Sequence, residues 1–244
     1  MKFSIIIPTL NEEKTIQRCL LDLQPLRNGS EIIVVDAESA DNTQTLAASL
    51  ADKVIMSVKG RAKQMNIGAR QATGNVLIFL HADTRLPENA LHLIQQKINS
   101  AGQWGRFDIQ LSGNHFVLKV IACMMNWRSR LTGIATGDQV IFVTRRAFEE
   151  AGLYPEISLM EDIALCKALK RISPPICLKA KVISSGRRWE SNGIYKTIFL
   201  MWSIRLRYFF GANPQTLAFL YTHGVITQFK LSDLWGRIFP SMSE

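Results

Sequence analysis

Four short runs of apolar, mostly β-branched residues occur in the first hundred residues. They are FSIII (3–7), EIIVV (31–35), KVIMSV (53–58) and NVLIFL (75–80). Continuous rather than alternating apolar runs indicate strands that are covered on both faces, as in a parallel sheet. Segments with helical apolar spacing separate the runs, and their predicted starts are Asn11, Asp41, Arg61 and Pro87. This order predicts an α/β fold, with a wound, mostly parallel sheet and helices on both faces.

Composition favours one large α/β domain, because the 244 residues are 47% hydrophobic and 20% charged. The four cysteines stand singly, without a C-x-x-C pair, which argues against a zinc site or a disulfide framework. They are Cys19, Cys123, Cys166 and Cys177. The first apolar run is too short for a signal peptide, so we expect a reducing cytoplasm.

The net charge of +9 is concentrated in the second part of the chain. Residues 101–244 carry 18 basic and 10 acidic side chains. Such a surface could face phosphates, anionic lipid or nucleic acid. Because no nucleic-acid-binding motif is present, we expect no nucleic-acid partner.

Acidic residues follow three of the predicted strands. Glu12 follows the first, Asp36 and Glu38 the second, and His81 and Asp83 the fourth. A single acid after a strand is usually a helix cap, but three such positions meet at one edge of a parallel sheet. Ligands of open α/β sheets bind at that edge. The pattern therefore predicts a ligand site there.

The remainder of the chain is less regular. GRFDIQL (105–111), QVIFVT (139–144) and ICLKAKVI (176–183) are predicted strands, and helices are expected over about 116–131 and 161–171. The 195–210 segment, YKTIFLMWSIRLRYFF, is apolar except for two arginines and is shorter than the roughly 20 residues of a membrane span. An interfacial helix and core packing both remain open for it.

Six motifs occur in an order that identifies a family resemblance. They are SIIIPTLNEE (4–13), IIVVDAESADNT (32–43), NIGARQATG (66–74), FLHADTRLP (79–87), MEDIAL (160–165) and SGRRW (185–189). On these motifs the chain resembles the family 2 glycosyltransferases of the GT-A fold, which are inverting enzymes that use nucleotide-sugar donors. GRAKQMN, LHADT and TGDQ make it similar to a small subgroup associated with radical-SAM/selenodomain genes.

The resemblance implies a donor site and a metal. Asp83 takes the place of the last Asp of a D-x-D motif and would ligate Mg²⁺ or Mn²⁺. His81 stands at the first Asp position as a donor-binding residue, where its imidazole could contact ribose or phosphate or ligate a softer metal such as Mn²⁺. Carboxylates at Glu12 and Asp36 suit hydrogen bonds to base and ribose. The further donor-binding residues implied are Pro8, Glu38, Arg61, Asn66, Arg70 and Arg188. Helix caps and a basic helix face are the structural alternatives.

The resemblance also implies the catalytic and acceptor residues. Asp162 would be the general base and Glu161 would assist it, although both could simply be acids favoured by a helix N-terminus. Gly137, Asp138 and Trp189 would contact the acceptor, and a plain turn is the alternative at Gly137.

The implied domain division is a GT-A catalytic domain over 1–190, with a nucleotide-sugar-binding half (1–100) and an acceptor half (101–190). A helical extension follows at 191–244, where contact with the inner membrane face is one option. The expected reaction is metal-assisted, inverting sugar transfer, with a UDP-sugar as donor and an unidentified hydroxyl acceptor that could be lipid-linked. Oligomeric state is not indicated.

Two other functions compete with this interpretation. A sugar-phosphate nucleotidyltransferase would need a glycine-rich loop after the first strand, and PTLNEEKT contains no glycine. A donor-binding or membrane-docking protein without catalysis is the remaining alternative, motivated by His81 and Ala37 at positions where the family usually has Asp.

Overall fold

The computed structural model describes residues 1–191 and 193–224, without the side chains of Ala101 and Arg188. The chain forms two compact units. The first contains Met1–Glu156 and Glu161–Arg188, and the second contains Ile157–Met160 and the chain from Trp189 onwards. Residues 225–244 of the expected helical extension lie outside the described residues.

The first unit alternates strands and helices. Its strands are β1 (Phe3–Thr9), β2 (Ser30–Asp36), β3 (Lys53–Met56), β4 (Val76–Phe79), β5 (Thr84–Arg85), β6 (Trp104–Ser112), β7 (Ile141–Thr144) and β8 (Ile176–Ser185). Its helices are α1 (Ile16–Leu23), α2 (Thr43–Ala48), α3 (Arg61–Gln71), α4 (Ala90–Ala101), α5 (Phe116–Thr132), α6 (Arg145–Glu150) and α7 (Glu161–Ile172). They are followed by α8 (Arg187–Ser191), α9 (Ile194–Phe209) and α10 (Pro214–His223).

The eight strands form one sheet in the order β3-β2-β1-β4-β7-β6-β8-β5. The first four predicted strands, β1 to β4, are mutually parallel. Strand β7 runs antiparallel to β4 and β6, β8 is parallel to β6, and β5 is antiparallel to β8. The predicted α/β class with a mostly parallel wound sheet is therefore confirmed.

The central strands are buried because their apolar runs face helices on both sides. Ile5, Ile6 and Ile7 in β1 have no exposed surface, and the same holds for residues 32–35 in β2. The parallel register places Thr9 opposite Asp36. The carboxyl ends of β1 and β2 therefore lie side by side, at the edge where the ligand site is predicted.

Helix α3 fixes this edge through one buried side chain. The Gln64 amide nitrogen donates to the carbonyl oxygens of Thr9 and Val35, both at 2.8 Å. Farther along the helix, Gly68 lies so close to β1 that an added Cβ would be 2.4 Å from Ile6 Cγ2. The helix can pack this closely only because residue 68 has no side chain.

The helices predicted after the first, second and fourth strands exist, but each begins later than its predicted cap or first residue. Asn11 has a left-handed φ of 54° and its side chain accepts from the Ala40 amide, so α1 begins at Ile16. Asp41 accepts from the Thr43 amide in a turn that precedes α2. After Pro87 the chain turns once more before α4 begins at Ala90.

In the second unit, α9 is a helix of 16 residues that covers the predicted 195–210 segment as far as Phe209. Its exposed apolar residues recur at helical spacing and are Tyr195, Phe199, Trp202, Leu206 and Phe209. Among the described helices, none is both long and apolar enough to cross a membrane.

Candidate functional site

Asp36 organises the loop that follows β2. Its side chain has no exposed surface and accepts four hydrogen bonds. One carboxylate oxygen accepts from the hydroxyls of Thr9 and Ser39, and the other accepts from the Ser39 amide and the Gln44 side chain. Because these bonds use all four acceptor positions of the carboxylate, Asp36 acts here through the loop that it holds.

The loops after β1 and β2 are joined to each other. The Asn11 amide donates to Ser39 Oγ at 2.8 Å, and the Glu12 amide donates to Thr43 Oγ1 at 2.8 Å. The half-buried Glu12 carboxylate accepts from Thr15 at 2.7 Å. Glu12 therefore sits in a fixed loop at the sheet edge.

Asp83 and Glu12 lie close to the same buried thiol. Burial, followed by the negative charges of Asp22, Asp83 and Glu12, raises the pKa of Cys19 to about 12. The half-buried Asp83 carboxylate accepts from the Thr84 hydroxyl at 3.3 Å. The structure thus brings the predicted metal ligand and the predicted base-binding acid to the same region.

A second group of site residues surrounds Gly137. The Gly137 amide donates to Asp162 Oδ2 at 3.0 Å. The His81 Nδ1 atom lies 3.2 Å from Asp138 Oδ1. A Cβ added to Gly137 would be only 2.5 Å from His81 Nε2, so the imidazole packs directly against the glycine. The end of β4, the 137–139 turn and the start of α7 therefore meet here.

Glu161 is the buried partner of Asp162 at the N-terminus of α7. Its side chain is 7% exposed, and its carboxylate lies 3.7 Å from the Arg61 guanidinium. Burial, followed by the negative charge of Asp162, raises the pKa of Glu161, while Arg61 opposes that shift. Two adjacent carboxylates in different environments can hold different protonation states.

Several predicted donor residues lie elsewhere or have other partners. The buried Asn66 amide donates to the Tyr154 carbonyl and accepts from the Tyr154 amide, at 2.9 and 3.0 Å. Arg61 begins α3, whereas Arg70 lies at the C-terminal end of the same helix, next to Gln71. The Gln71 carbonyl accepts from Lys53, which is at the start of β3. The structure therefore does not bring Arg70 to the carboxyl edge.

The remaining predicted residues have simpler placements. Pro8 is half-buried near the end of β1, and Glu38 is exposed with a φ of 56°. Trp189 belongs to the second unit, and the Arg188 side chain lies outside the described residues. The sequence interpretation missed Gln64, although a polar residue on the buried face of α3 was a signal for it.

Few of the described side chains are placed to ligate a metal ion. Among residues 1–191 and 193–224, no group of three or more His, Cys, Asp or Glu side chains could hold a metal ion. Mg²⁺ commonly takes one or two carboxylates and fills its other positions with substrate phosphate and water. A single carboxylate at Asp83 fits that mode of binding.

Comparisons with solved structures show the fold. The crystal structure of S. aureus TarS 1-349 in complex with UDP has a TM-score of 0.64 and 23% identity, covering 76% of this chain and 60% of that one. The mannosyltransferase PcManGT from Pyrobaculum calidifontis, in complex with GDP-Man and Mn²⁺, has a TM-score of 0.60 and 16% identity, covering 99% of this chain and 70% of that one. The fold is that of the GT-A glycosyltransferases.

The relatives found by sequence similarity are also glycosyltransferases. The 4,4'-diaponeurosporenoate glycosyltransferase of Staphylococcus haemolyticus is 32% identical over 93% of this chain and 67% of its own length. The dolichol-phosphate mannosyltransferase of Pyrococcus furiosus is 30% identical over 41% of this chain. The chain spans 31% of that relative and 40% of a Campylobacter jejuni glucosyltransferase. The model of glycosyl transferase family 2 matches residues 4–150, and this enzyme therefore belongs to glycosyl transferase family 2.

Proposed function

We propose that this enzyme is an inverting glycosyltransferase that moves a sugar from a UDP-sugar donor to a hydroxyl acceptor, with Asp162 as general base. The observation that carries this proposal is the group around Gly137. It joins a half-buried carboxylate at the start of α7 to His81, at the end of β4. The proposed base, Asp162, therefore lies close to the carboxyl edge of the sheet, where the donor is proposed to bind.

The different environments of Asp162 and Glu161 support their division of roles. Asp162 is half-buried and its Oδ2 atom is oriented by the Gly137 amide, so it can reach an acceptor hydroxyl. Glu161 is buried and ion-paired with Arg61. Since burial raises the pKa of Glu161, protonation there would relieve the repulsion between the two carboxylates. Glu161 thus positions the base.

For the donor, the proposed contacts are Glu12, His81, Arg61 and the loop held by Asp36, with Glu38 and Pro8 at its margin. Asp83 would hold Mg²⁺ or Mn²⁺, and a bound cation would neutralise negative charge on the leaving diphosphate. Structures of similar fold in complex with UDP, and with GDP-Man and Mn²⁺, support a nucleotide donor and a divalent metal. We leave Arg70 and Asn66 out of this site, because of their positions.

For the acceptor, we propose a lipid-linked or membrane-near hydroxyl compound, contacted by Gly137 and Asp138. The support comes from relatives whose names include dolichol-phosphate and an undecaprenol-linked sugar. The exposed apolar side of α9 supports an interfacial position for that helix. The four cysteines are unpaired, which supports a reducing compartment. The GRAKQMN, LHADT and TGDQ motifs support the radical-SAM-associated subgroup.

The proposed binding of the donor nucleotide is tested by isothermal titration with UDP and with GDP, each with and without Mn²⁺. We expect UDP to bind more tightly with Mn²⁺ and expect Asp83→Ala to remove the effect of the metal. Glu149→Ala is the control, since that exposed side chain lies on α6. Absence of binding by either nucleotide, with or without metal, would contradict the proposal.

Catalysis is tested by the slow release of UDP from UDP-sugars in water. Asp162→Asn preserves the size of the side chain but removes the base, so we expect release to stop while UDP binding persists. If wild-type enzyme binds UDP but never cleaves any UDP-sugar, the non-catalytic donor-binding alternative is favoured instead. Equal rates for wild type and Asp162→Asn would reject Asp162 as the base.

A further inference from the structure

Helix α5 has two apolar faces on opposite sides. Its inner face packs on β6 through buried residues that include Leu118, Ile121 and Ala122. Its outer face carries large apolar side chains that are between 41% and 71% exposed, and these are Phe116, Val120, Met124, Trp127 and Leu131. A surface helix of a globular protein normally presents polar residues outward. In α5, both sides are apolar.

The outer residues form one continuous strip. At about 100° of rotation per residue, the five side chains fall within an arc of roughly 80°. From the first to the last, they extend along about 23 Å of helix. We call this set of five residues the α5 strip. An exposed apolar surface of this extent marks an interaction site.

Positive charge flanks the α5 strip on both sides. The helix contains no Asp or Glu and has three basic residues. Helical geometry places Lys119 and Arg130 along one border and Arg128 along the other. Arg130 also pairs with Asp108 at 2.6 Å, and Lys119 is exposed. An outward face that is apolar along its length, and whose only charged border residues from α5 are basic, is complementary to an anionic, apolar surface.

We propose that the α5 strip docks the first unit on a membrane surface that contains anionic lipids. Aromatic and aliphatic side chains would enter the boundary between headgroups and acyl chains, and the exposed Lys119 would contact lipid phosphates. Trp127 suits this boundary because its ring is apolar and its ring N–H can bond to polar groups. The α5 helix would lie parallel to the membrane plane. This inference is independent of the proposed reaction and of α9.

The first test measures binding of the full chain to sedimentable vesicles of phosphatidylcholine alone, or with 30% phosphatidylglycerol. We expect binding to the mixed vesicles and at least about tenfold weaker binding for Phe116→Gln/Trp127→Gln. The control is Leu21→Gln/Met56→Gln, which removes two other exposed apolar side chains and should change binding less than twofold. For Lys119→Gln we expect about fivefold weaker binding to the mixed vesicles only.

The second test locates the contact. Cys123 is exposed at the border of the α5 strip, while Cys19 and Cys166 are buried. In a Cys177→Ser background, an environment-sensitive dye can therefore be attached selectively at Cys123. We expect mixed vesicles to shift the dye emission to the blue and expect spin-labelled lipid to quench it.

Three results would overturn the inference. The first is no binding to the mixed vesicles, or equal binding to neutral ones. The second is binding that survives the Phe116→Gln/Trp127→Gln change without a response from the Cys123 dye, which would locate the contact elsewhere. The third is a dimer in solution that the same double change dissociates, since the α5 strip would then be covered by a second copy. Circular dichroism confirms that each variant is folded.

Discussion

Replacing Gly137 with alanine should disable the site while leaving the fold intact. The added Cβ would be 2.5 Å from His81 Nε2 and 2.6 Å from Cε1. Ordinary contact begins at about 3.4 Å, so the imidazole must move by about 0.9 Å. That movement would break the 3.2 Å contact between His81 and Asp138.

The expected loss follows from this displacement. Displacing a substrate-positioning group by about 1 Å can lower a rate by about 100-fold. Because the His81 side chain is 14% exposed, it can move outward, and we expect the free energy of unfolding to fall by no more than about 1–2 kcal/mol. The assay is UDP release from the UDP-sugar that turns over fastest, together with urea unfolding of the same preparations.

Gly152→Ala is the matched control. Gly152 has a φ of 83° and no neighbouring atom within 4 Å of an added Cβ. Alanine there should cost about 1 kcal/mol of backbone strain without disturbing the site. If Gly137→Ala retained wild-type turnover, or lost no more than Gly152→Ala, the packing of His81 on Gly137 would not matter for catalysis.

Three other changes should affect stability. Burial alone would raise the pKa of Glu31, but its hydrogen bonds lower the pKa from 4.5 to about 2. The ionised carboxylate should therefore contribute about 3 kcal/mol to the free energy of unfolding at neutral pH. That contribution should be lost as the pH falls from about 5 to 2. Urea unfolding across that range should show a smaller pH dependence for Glu31→Gln. Gly68→Ala should cost about 1–3 kcal/mol, because its Cβ would meet Ile6 at 2.4 Å, and thermal unfolding measures this. Asp36→Asn turns an amide group toward existing donors such as Gln44, so we expect about 1–3 kcal/mol of destabilisation and weaker UDP binding by titration.

The first half of the fold was predictable because its strands are continuous apolar runs. All four strands were predicted within two residues of their observed ends, and their parallel order follows from the helices between them. The second half was less predictable, because β7 enters between β4 and β6 through pairings distant in sequence. The short β5 has only two residues, too few for an apolar pattern.

The positions of candidate site residues were predictable where a strand end fixes them. Glu12 and Asp83 follow β1 and β4 at the same sheet edge. The position of Arg70 was not predictable, because its motif gives no information about which end of α3 faces that edge. The contact between His81 and Gly137 was also hidden, since the two residues are 56 positions apart and meet only through the folded sheet.

The hydrogen bonds between the loops after β1 and β2 have a consequence for how a donor enters. Asn11 and Ala40 are joined at 2.9 Å, and Glu13 accepts from the Asn42 amide at 3.3 Å, in addition to the bonds of Ser39 and Thr43. Neither loop can open without breaking contacts to the other. The proposed nucleotide donor would therefore meet a surface whose shape exists before it arrives, and little ordering entropy would be lost on binding.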